Sequence, residues 1–506
     1  MTAWGVGAIV RLMNVIAPDP ITADLSALAA RFRQVLPPEC VVTDTIARKP
    51  FETDAQTMHR QMPGIVVLPE TVAQVAEVLK LCRDFGVPVV PRGAGTGLSG
   101  GATPVPGGVL LAMTKFNRIL DVDYANRVVV AQPGVTNLGI TRAVEDDGFY
   151  YAPDPSSQIA CTIGGNVAQN SGGVHCLKYG LTVNNILGVE LVTMDGEVLR
   201  IGGKHLDPEG YDLLSIITGS EGLLGVITEV TVRILPKPET VRALLVSFDS
   251  IEAGGACVAD VIASGIIPAG MEMMDRITID AVEEYCAPGY PADAAAILIC
   301  ELDGPAAEVD YLIEQVTAIA ARNGAIGVRA SQSEEERLLF WLGRKSAFPA
   351  AAKMKPDYYV LDGTIPRNKL APVLARIGEL SRASGLTIAN VFHVGDGNLH
   401  PLILYDANVP GEMEAAEHLG HDILRLCVSV GGVLTGEHGV GTEKRDLMPE
   451  MFSDIDMQQQ QRLKCAFDPG QHLNPGKVFP TLHRCAELGA MHVHKGETSF
   501  PELPRF

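Results

Sequence analysis

Apolar residues between positions 65 and 90 follow two different spacings. The runs at the two ends, IVV and VPVV, are short, continuous and rich in valine, which is typical of buried strands. Between them, apolar residues recur every three or four positions, as on one face of a helix: Val72, Val75, Leu79, Cys82 and Phe85. Gly86 follows this repeat, and glycine commonly ends a helix. The pattern therefore predicts a strand, a helix and a second strand.

Similar patterns continue along the chain. Strands are predicted at 109–112 and 128–131, and a helix from Thr136 to Asp147. A hairpin over 186–201 is predicted to turn at Asp195-Gly196, because Asp-Gly between apolar runs is a strong turn signal. From residue 241 onward, strand-like runs alternate with amphipathic helices. These elements predict an α+β fold class.

The Pro-Lys-Pro sequence at 236–238 predicts a domain boundary, because the pattern of apolar residues changes after it. We expect a helical N-terminal segment over 1–50 and a first domain over 51–236. A second domain then spans 237–480, and a polar tail spans 481–506.

The length and charge of the chain limit the number of domains and the classes of partner that it can have. The 506 residues are too many for one ordinary core, so more than one domain is expected. A formal net charge of −20 argues against nucleic acid as a partner. We expect no direct membrane insertion, since no apolar run approaches the roughly 20 residues of a spanning helix. The N-terminus lacks the basic start of a signal peptide, which predicts a cytoplasmic protein.

Two glycine-rich segments, at 91–108 and 161–173, carry the strongest chemical signal. The first contains GTGLSG at 95–100, which matches the G-x-G-x-x-G dinucleotide fingerprint. That fingerprint must open a helix, whereas the residues that follow here are rich in proline and glycine. We therefore reject a Rossmann unit. The glycines still allow successive backbone N–H groups to approach an anion closely, which favours a nucleotide or dinucleotide ligand.

The sequence VFHVGDGNLHPLIL, at 391–404, predicts a second hairpin. A two-residue loop at Asp396-Gly397 would place His393 directly opposite His400, on the same face of the sheet. Two imidazoles so placed could share a cation. Two ordinary buried histidines are the alternative, and the local pattern does not choose between them.

Several motifs resemble a known family. PRGAGTGLSGG at 91–101, DPSSQIACTIGGNVAQNSGG at 154–173 and GSEGLLGVIT at 219–228 resemble the FAD-binding domain of vanillyl-alcohol oxidase type flavoproteins. HVGDGNLH, GEHGVGTEKR and LNPGKVFP resemble its D-2-hydroxyacid dehydrogenase branch. That branch includes D-lactate dehydrogenases, D-2-hydroxyglutarate dehydrogenase and the FAD-linked subunit of bacterial glycolate oxidase. The tail at 481–496 looks most like the last of these.

The resemblance implies a two-subdomain FAD-binding domain and a C-terminal α+β cap domain that covers the flavin. Some relatives attach FAD covalently through a histidine in the first glycine loop; this loop has none, so non-covalent FAD is expected. The positions that match cofactor-binding residues of the family are Pro91, Arg92, Gly93, Ala94, Gly95, Thr96, Gly97, Ser99, Gly100, Gly101, Pro155, Ser156, Thr162, Gly165, Asn166, Ser171, Gly225, Val226, Ile227 and Asn474.

The resemblance adds Glu437 to the two histidines. His393, His400 and Glu437 would form a two-histidine, one-carboxylate set for a divalent metal, zinc or manganese. The alternative for Glu437 alone is a carboxylate at a helix start. His438 is the candidate general base for a substrate hydroxyl.

A 2-hydroxy acid also needs a partner for its carboxylate. Arg344 matches an arginine of the family, and a guanidinium binds a carboxylate through two parallel hydrogen bonds. Lys345 is a weaker candidate. Phe348 and Val360 fall near positions that are polar in the hydroxyglutarate enzymes, which favours a short acid, glycolate or D-lactate. Most arginines are solvated surface residues, and that remains the alternative for Arg344.

Three functions follow from these features. The first is FAD-dependent oxidation of the 2-hydroxy acid to the 2-oxo acid. The alternatives are a D-2-hydroxyglutarate-type dehydrogenase and a non-catalytic FAD-binding subunit of an electron-transfer complex. The chain has no iron–sulfur cysteine frame, so its electrons must leave it. The acceptor would be oxygen, a quinone or a partner protein. The resemblance favours partners, a related FAD-binding subunit and an iron–sulfur subunit, peripheral to the inner membrane.

Overall fold

A computed structural model describes residues 23–206 and 210–480. The predicted tail at 481–506 and the first 22 residues lie outside the described residues. Helices and strands alternate through the described chain, and the α+β class is confirmed. No helix in these two stretches combines the length and the apolar character needed to cross a bilayer.

A four-stranded sheet forms the first layer, in the order β1-β2-β4-β3. Its strands are β1 (Val41–Val42), β2 (Ile65–Val67), β3 (Val89–Arg92) and β4 (Val109–Ala112). The helices of this part are α1 (Leu25–Val35), α2 (Thr45–Arg48) and α3 (Val72–Asp84). β2, β4 and β3 are parallel, because α3 returns the chain from β2 to the start of β3 and the glycine-rich loop at 93–108 returns it from β3 to the start of β4. The predicted strand, helix and strand are confirmed.

A five-stranded antiparallel sheet follows, in the order β5-β6-β10-β8-β9. The strands of this part are β5 (Ile119–Asp123), β6 (Val128–Ala131), β7 (Phe149–Tyr150), β8 (Ile186–Val192), β9 (Val198–Gly202), β10 (Val226–Arg233) and β11 (Leu235–Pro236), of which β7 and β11 form a separate pair. The helices are α4 (Asn137–Arg142), α5 (Ile163–Gln169), α6 (Cys176–Tyr179) and α7 (Leu213–Ile217).

Two local predictions in this part have different outcomes. The β8–β9 hairpin is confirmed, and Gly196 adopts the left-handed φ of +75° that its turn requires. The helix predicted from Thr136 to Asp147 is too long. Thr136 does cap it, but α4 ends at Arg142, because Val144 leaves the helical region and residues 145–147 form a separate short turn.

An eight-stranded antiparallel sheet forms the C-terminal part, in the order β15-β12-β14-β13-β18-β19-β16, with β17 also on β19. Its strands are β12 (Thr240–Phe248), β13 (Gly270–Asp275), β14 (Ala296–Gly304), β15 (Ala325–Ala330), β16 (Asp357–Val360), β17 (Gly363–Thr364), β18 (Thr387–His393) and β19 (Asn398–Tyr405). The helices are α8 (Ile251–Ala263), α9 (Arg276–Cys286), α10 (Ala306–Arg322), α11 (Glu334–Met354), α12 (Leu370–Ser384), α13 (Glu412–Ser429), α14 (Met448–Met451) and α15 (Asp454–Phe467). Apolar side chains from both faces of this sheet form two separate cores.

A set of buried hydrogen bonds joins the C-terminal part to the glycine loops. The Glu221 carboxylate accepts the backbone N–H groups of Val440 and Gly441, at 2.6 and 2.8 Å. The Asn474 amide donates to the carbonyls of Gly101 and Glu221, at 2.8 and 2.7 Å. Ser99 accepts from two backbone N–H groups of the 440–444 turn. These contacts fix the C-terminal turn against the first glycine loop.

Candidate active site

One cavity connects the two glycine-rich loops with the histidines of the eight-stranded sheet. At one end its walls come from residues within the segments 91–102, 155–171 and 220–227. At the other end they come from the C-terminal part: Arg344, Phe348, His393, His400, Glu437 and His438. The cavity therefore has the two ends that a cofactor and a small substrate would need.

Glycines let the loops of the first end approach each other closely. A Cβ atom at Gly93 would lie 2.2 Å from Thr162 Oγ1, and one at Gly164 would lie 2.4 Å from Pro133 Cβ. Gly95, with φ of +73°, passes directly over the Arg92 guanidinium. Arg92 is buried and donates to the Thr53 carbonyl at 2.6 Å. Open backbone above a buried cation is the environment that suits a pyrophosphate, so these residues fit FAD.

Most of the residues predicted to bind the cofactor line this cavity, but three do not: Ser99, Gly100 and Asn474. Ser99 and Asn474 instead make the buried hydrogen bonds to the C-terminal part described above. Gly100 has φ of +76° and packs against Thr442, where a Cβ would lie 2.1 Å from the hydroxyl.

The hairpin at 391–404 forms, but the predicted pairing is wrong. β18 and β19 are joined by four residues, 394–397, and His393 pairs with Asn398 while His400 pairs with Val391. The loop is longer because the Gly397 N–H donates back to the His393 carbonyl at 3.2 Å. The observed pairing is shifted by two residues from the predicted one, and a shift of two residues keeps both histidines on the same face of the sheet. They are diagonal neighbours, with ring centroids 5.0 Å apart and ring planes almost perpendicular.

Both histidines direct Nε2 towards one carboxylate oxygen. Nε2 of His400 lies 3.0 Å from Glu437 Oε1, and Nε2 of His393 lies 3.3 Å from the same atom. His400 Nδ1 donates to the Leu361 carbonyl at 2.9 Å, and His393 Nδ1 donates to Glu272 Oε1 at 2.5 Å. When each ring is neutral, its single proton is therefore on Nδ1 and its Nε2 lone pair faces Glu437.

Three acceptors that converge in this way need a cation or a proton between them. Burial acts to lower the pKa of His393, but Glu272 and Glu437 on its two sides raise it well above its ordinary value. Burial likewise acts to raise the pKa of Glu437, but the two histidines hold it well below its ordinary value. Imidazole rings oriented by hydrogen bonds at Nδ1 are typical of metal ligands. The donor set fits a divalent metal.

Asp362 holds the turn that carries Glu437 and His438. It is fully buried and accepts the backbone N–H groups of Gly436, Glu437 and His438, at 2.9 to 3.3 Å. Lys444 Nζ lies 3.2 Å from the same carboxylate. Although ligand atoms of Asp362, His400, Glu437 and His438 lie within 4.8 Å of one another, the Asp362 oxygens are already engaged by these donors. Asp362 is therefore better suited to anchor the turn than to ligate a metal.

His438 stacks on His400, with ring centroids 4.9 Å apart. Its Nε2 lies 3.8 Å from Glu437 Oε1, and its buried Nδ1 has no hydrogen-bond partner among the described residues. Burial lowers the pKa of His438 to about 4, so the ring is neutral near pH 7. His438 lines the cavity, and a neutral imidazole has one unprotonated ring nitrogen that can accept a proton.

Arg344 lies on the inner face of α11 and is 3% exposed. Its Nε donates to Glu272 Oε2 at 2.6 Å, whereas its buried Nη2 has no hydrogen-bond partner among the described residues. A buried guanidinium N–H without a partner suits an incoming carboxylate. Phe348, one turn further along α11, also lines the cavity, whereas Lys345 is exposed and does not. Val360 packs in the core of the sheet.

Sequence reasoning missed three buried carboxylates that organise this site: Glu221, Glu272 and Asp362. Glu272 gave a signal, because it is a charged residue in the strand sequence GMEMMD, whose neighbours are apolar. Glu221 and Asp362 are each followed by a glycine, and this local pattern predicts only a loop. Their roles arise from contacts across more than 70 positions of sequence, which local patterns do not contain.

The fold and the cavity together define the class of protein. Residues 63–202 match the FAD binding domain family, and residues 237–478 match the family described as FAD linked oxidases, C-terminal domain. Among solved structures, p-cresol methylhydroxylase with substrate bound has a TM-score of 0.77 at 19% identity, covering 90% of this chain and 96% of that one. 4-Ethylphenol oxidase from Gulosibacter chungangensis has a TM-score of 0.75, also at 19% identity, covering 91% and 98%. The expected vanillyl-alcohol oxidase type of fold is confirmed.

The chain belongs to the FAD-linked oxidases, and its cofactor is FAD. It is 57% identical over 457 residues to glycolate oxidase subunit GlcD of Escherichia coli, covering 90% of this chain and 92% of that protein. GlcD of Bacillus subtilis is 39% identical over 447 residues, covering 88% and 95%. D-lactate dehydrogenase of Anaerostipes hadrus is 32% identical over 461 residues, covering 88% and 96%.

Proposed function

We propose that this chain oxidises a short 2-hydroxy acid, glycolate or D-lactate, to the 2-oxo acid. The observation that carries the proposal is the single cavity, which has the flavin loops at one end and Arg344, His438 and the histidine–glutamate set at the other. The names of the relatives, glycolate oxidase subunits and a D-lactate dehydrogenase, support the same chemistry.

The proposed roles follow from the contacts. Arg344 binds the substrate carboxylate through the guanidinium N–H groups that Glu272 does not accept from, among them the unpartnered Nη2. His438 takes the hydroxyl proton as the hydrogen on the substrate Cα leaves with its electron pair. Non-covalent FAD, when bound along the glycine loops, supplies the acceptor for that hydride. A zinc or manganese ion held by His393, His400 and Glu437 would supply a Lewis acid for the substrate hydroxyl and carboxylate.

The position of Phe348 favours a short acid as the substrate over a dicarboxylate such as 2-hydroxyglutarate. It lies one helical turn from Arg344, lines the cavity and packs on Tyr358, with ring centroids 6.1 Å apart. An aromatic ring at this position fills space and offers no donor to a second carboxylate. A non-catalytic FAD-binding subunit is disfavoured, because it would need neither an oriented histidine pair nor the buried His438.

The electrons must leave the chain, and we propose that they pass to partner proteins. The GlcD relatives are named as subunits of glycolate oxidase, which supports an assembly. The partners we propose are a related FAD-binding subunit and an iron–sulfur subunit, and the small acid is the substrate. Such an assembly would work in the cytoplasm, peripheral to the inner membrane and in reach of a quinone.

The experiment that tests the function is anaerobic reduction of the bound flavin by a panel of 2-hydroxy acids of both hands. Glycolate or D-lactate should bleach the flavin fastest, and 2-hydroxyglutarate should be slower because Phe348 limits the space.

The same panel after prolonged chelation should show flavin that is still bound but no longer reduced, because the proposed metal ligands lie at the substrate end of the cavity. If no 2-hydroxy acid reduces the flavin, the proposed function is wrong. If protein shown to be metal-free reduces its flavin at the full rate, the proposed metal site is wrong but the proposed function stands.

Two substitutions separate binding from chemistry. Arg344→Lys keeps the charge but loses the planar fork, so the apparent affinity for the acid should fall by about tenfold or more. His438→Ala removes the base, so the rate of flavin reduction should fall by about 10² or more with a smaller change in affinity. Stopped-flow titration with substrate measures both quantities.

The matched controls are Arg425→Lys and His418→Ala, two exposed residues of α13, and neither should change either quantity. The reverse pattern, with Arg344→Lys slowing the reaction and His438→Ala weakening binding, would contradict the assigned roles.

The route of the electrons is tested with the isolated chain and with material from its native source. Alone, it should reduce oxygen slowly and an artificial dye faster, because its proposed acceptor is a protein. From its source, it should co-purify with a cysteine-rich partner. Hydrogen peroxide formation as fast as dye reduction would instead mark a self-sufficient oxidase.

A further inference from the structure

Glu272 lies in the middle of β13, between residues that are all buried. Its side chain is 0% exposed, and each of its two oxygens contacts a different functional group. Oε1 accepts from His393 Nδ1 at 2.5 Å, and Oε2 accepts from Arg344 Nε at 2.6 Å. One carboxylate thus joins a proposed metal ligand to the proposed binder of the substrate carboxylate.

The two contacts restrict their partners in different ways. Accepting from Nδ1 fixes the His393 tautomer whose Nε2 lone pair is directed towards Glu437. Accepting from Nε restrains the plane of the Arg344 guanidinium, whose side chain lines the cavity and whose Nη2 has no partner among the described residues.

A structural role alone accounts poorly for this residue. A carboxylate in the middle of an apolar strand is costly to bury, and a well-packed apolar side chain is often no less stabilising than a buried ion pair. The neighbours on β13, Met271, Met273 and Met274, show that the strand accepts apolar residues of similar size. Both partners of Glu272 line the cavity, so its placement serves the site.

We infer that Glu272 is a positioning residue that couples the metal site to the substrate carboxylate site through one shared carboxylate. The inference rests on the proposed function, since it takes His393 as a metal ligand and Arg344 as the substrate binder. It adds that neither can be oriented independently of the other.

Glu272→Gln tests the coupling, because an amide has one acceptor and one donor where the carboxylate has two acceptors. If the amide oxygen keeps Arg344, the NH₂ group donates to His393 Nδ1, and the proton moves to Nε2, where it blocks a metal. If the oxygen keeps His393, the NH₂ group faces the Arg344 Nε–H and displaces the guanidinium. At least one of two constants should therefore increase by about tenfold: the dissociation constant for zinc or manganese, or the KM for the acid at saturating metal.

The metal constant is measured without substrate, by competition with a chelator of known affinity, so it does not depend on turnover. Glu272→Asp keeps both acceptors on a shorter side chain and should shift the same quantities in the same direction by less. It also answers the question if the glutamine variant fails to retain FAD.

Glu301→Gln is the matched control. Glu301 is equally buried, lies on the neighbouring strand β14 and contacts His175, Arg337 and Trp341, none of which lines the cavity. This variant should lower the thermal unfolding midpoint but leave the metal constant and the KM unchanged.

If Glu272→Gln and Glu272→Asp change neither constant, or change them no more than Glu301→Gln does, the coupling is refuted and Glu272 is structural. That outcome differs from failure of the proposed function, in which the wild-type protein itself would bind no metal or oxidise no 2-hydroxy acid.

Discussion

The pairing of the Glu437 carboxylate, whose side chain is only 11% exposed, is the constraint on which the site depends. A buried anion is unfavourable unless it is paired, and Glu437 is paired with His393 and His400, which stand on adjacent strands of one sheet. Each histidine is in turn oriented by a further acceptor, Glu272 or the Leu361 carbonyl. The result is a set of acceptors that is satisfied only by a cation or a proton at its centre.

The site is composite, because neither part of the chain completes it alone. The glycine loops come from the first two sheets, and the polar groups for substrate and metal come from the eight-stranded sheet. The buried hydrogen bonds of Ser99, Glu221 and Asn474 hold the two parts together. The turn that presents Glu437 and His438 therefore depends on both domains, through Asp362 on one side and Glu221 on the other.

Sequence patterns predicted the parts of this protein that depend on local chemistry. The strand, helix and strand at 65–92 follow from apolar spacing, and the glycine loops follow from the backbone freedom that close approach needs. The hairpin pattern pointed to His393 and His400, and the family resemblance added Glu437 and Arg344. The structure brings all four to one cavity. The exact pairing of the hairpin was missed, because a four-residue loop and a two-residue loop place the histidines on the same face. Glu221, Glu272 and Asp362 were missed because their partners are distant in sequence.

We propose that His393, His400 and Glu437 hold a divalent metal at the substrate end of the flavin cavity. The most direct measurement is anomalous X-ray diffraction from crystals of the FAD-loaded protein, with data on both sides of the zinc and manganese absorption edges. One strong anomalous peak should lie about 2.0–2.2 Å from Nε2 of both histidines and from a Glu437 oxygen. A peak bound to Asp362 in place of His393 would overturn this assignment, as would the absence of a peak from crystals of protein that still oxidises the acid.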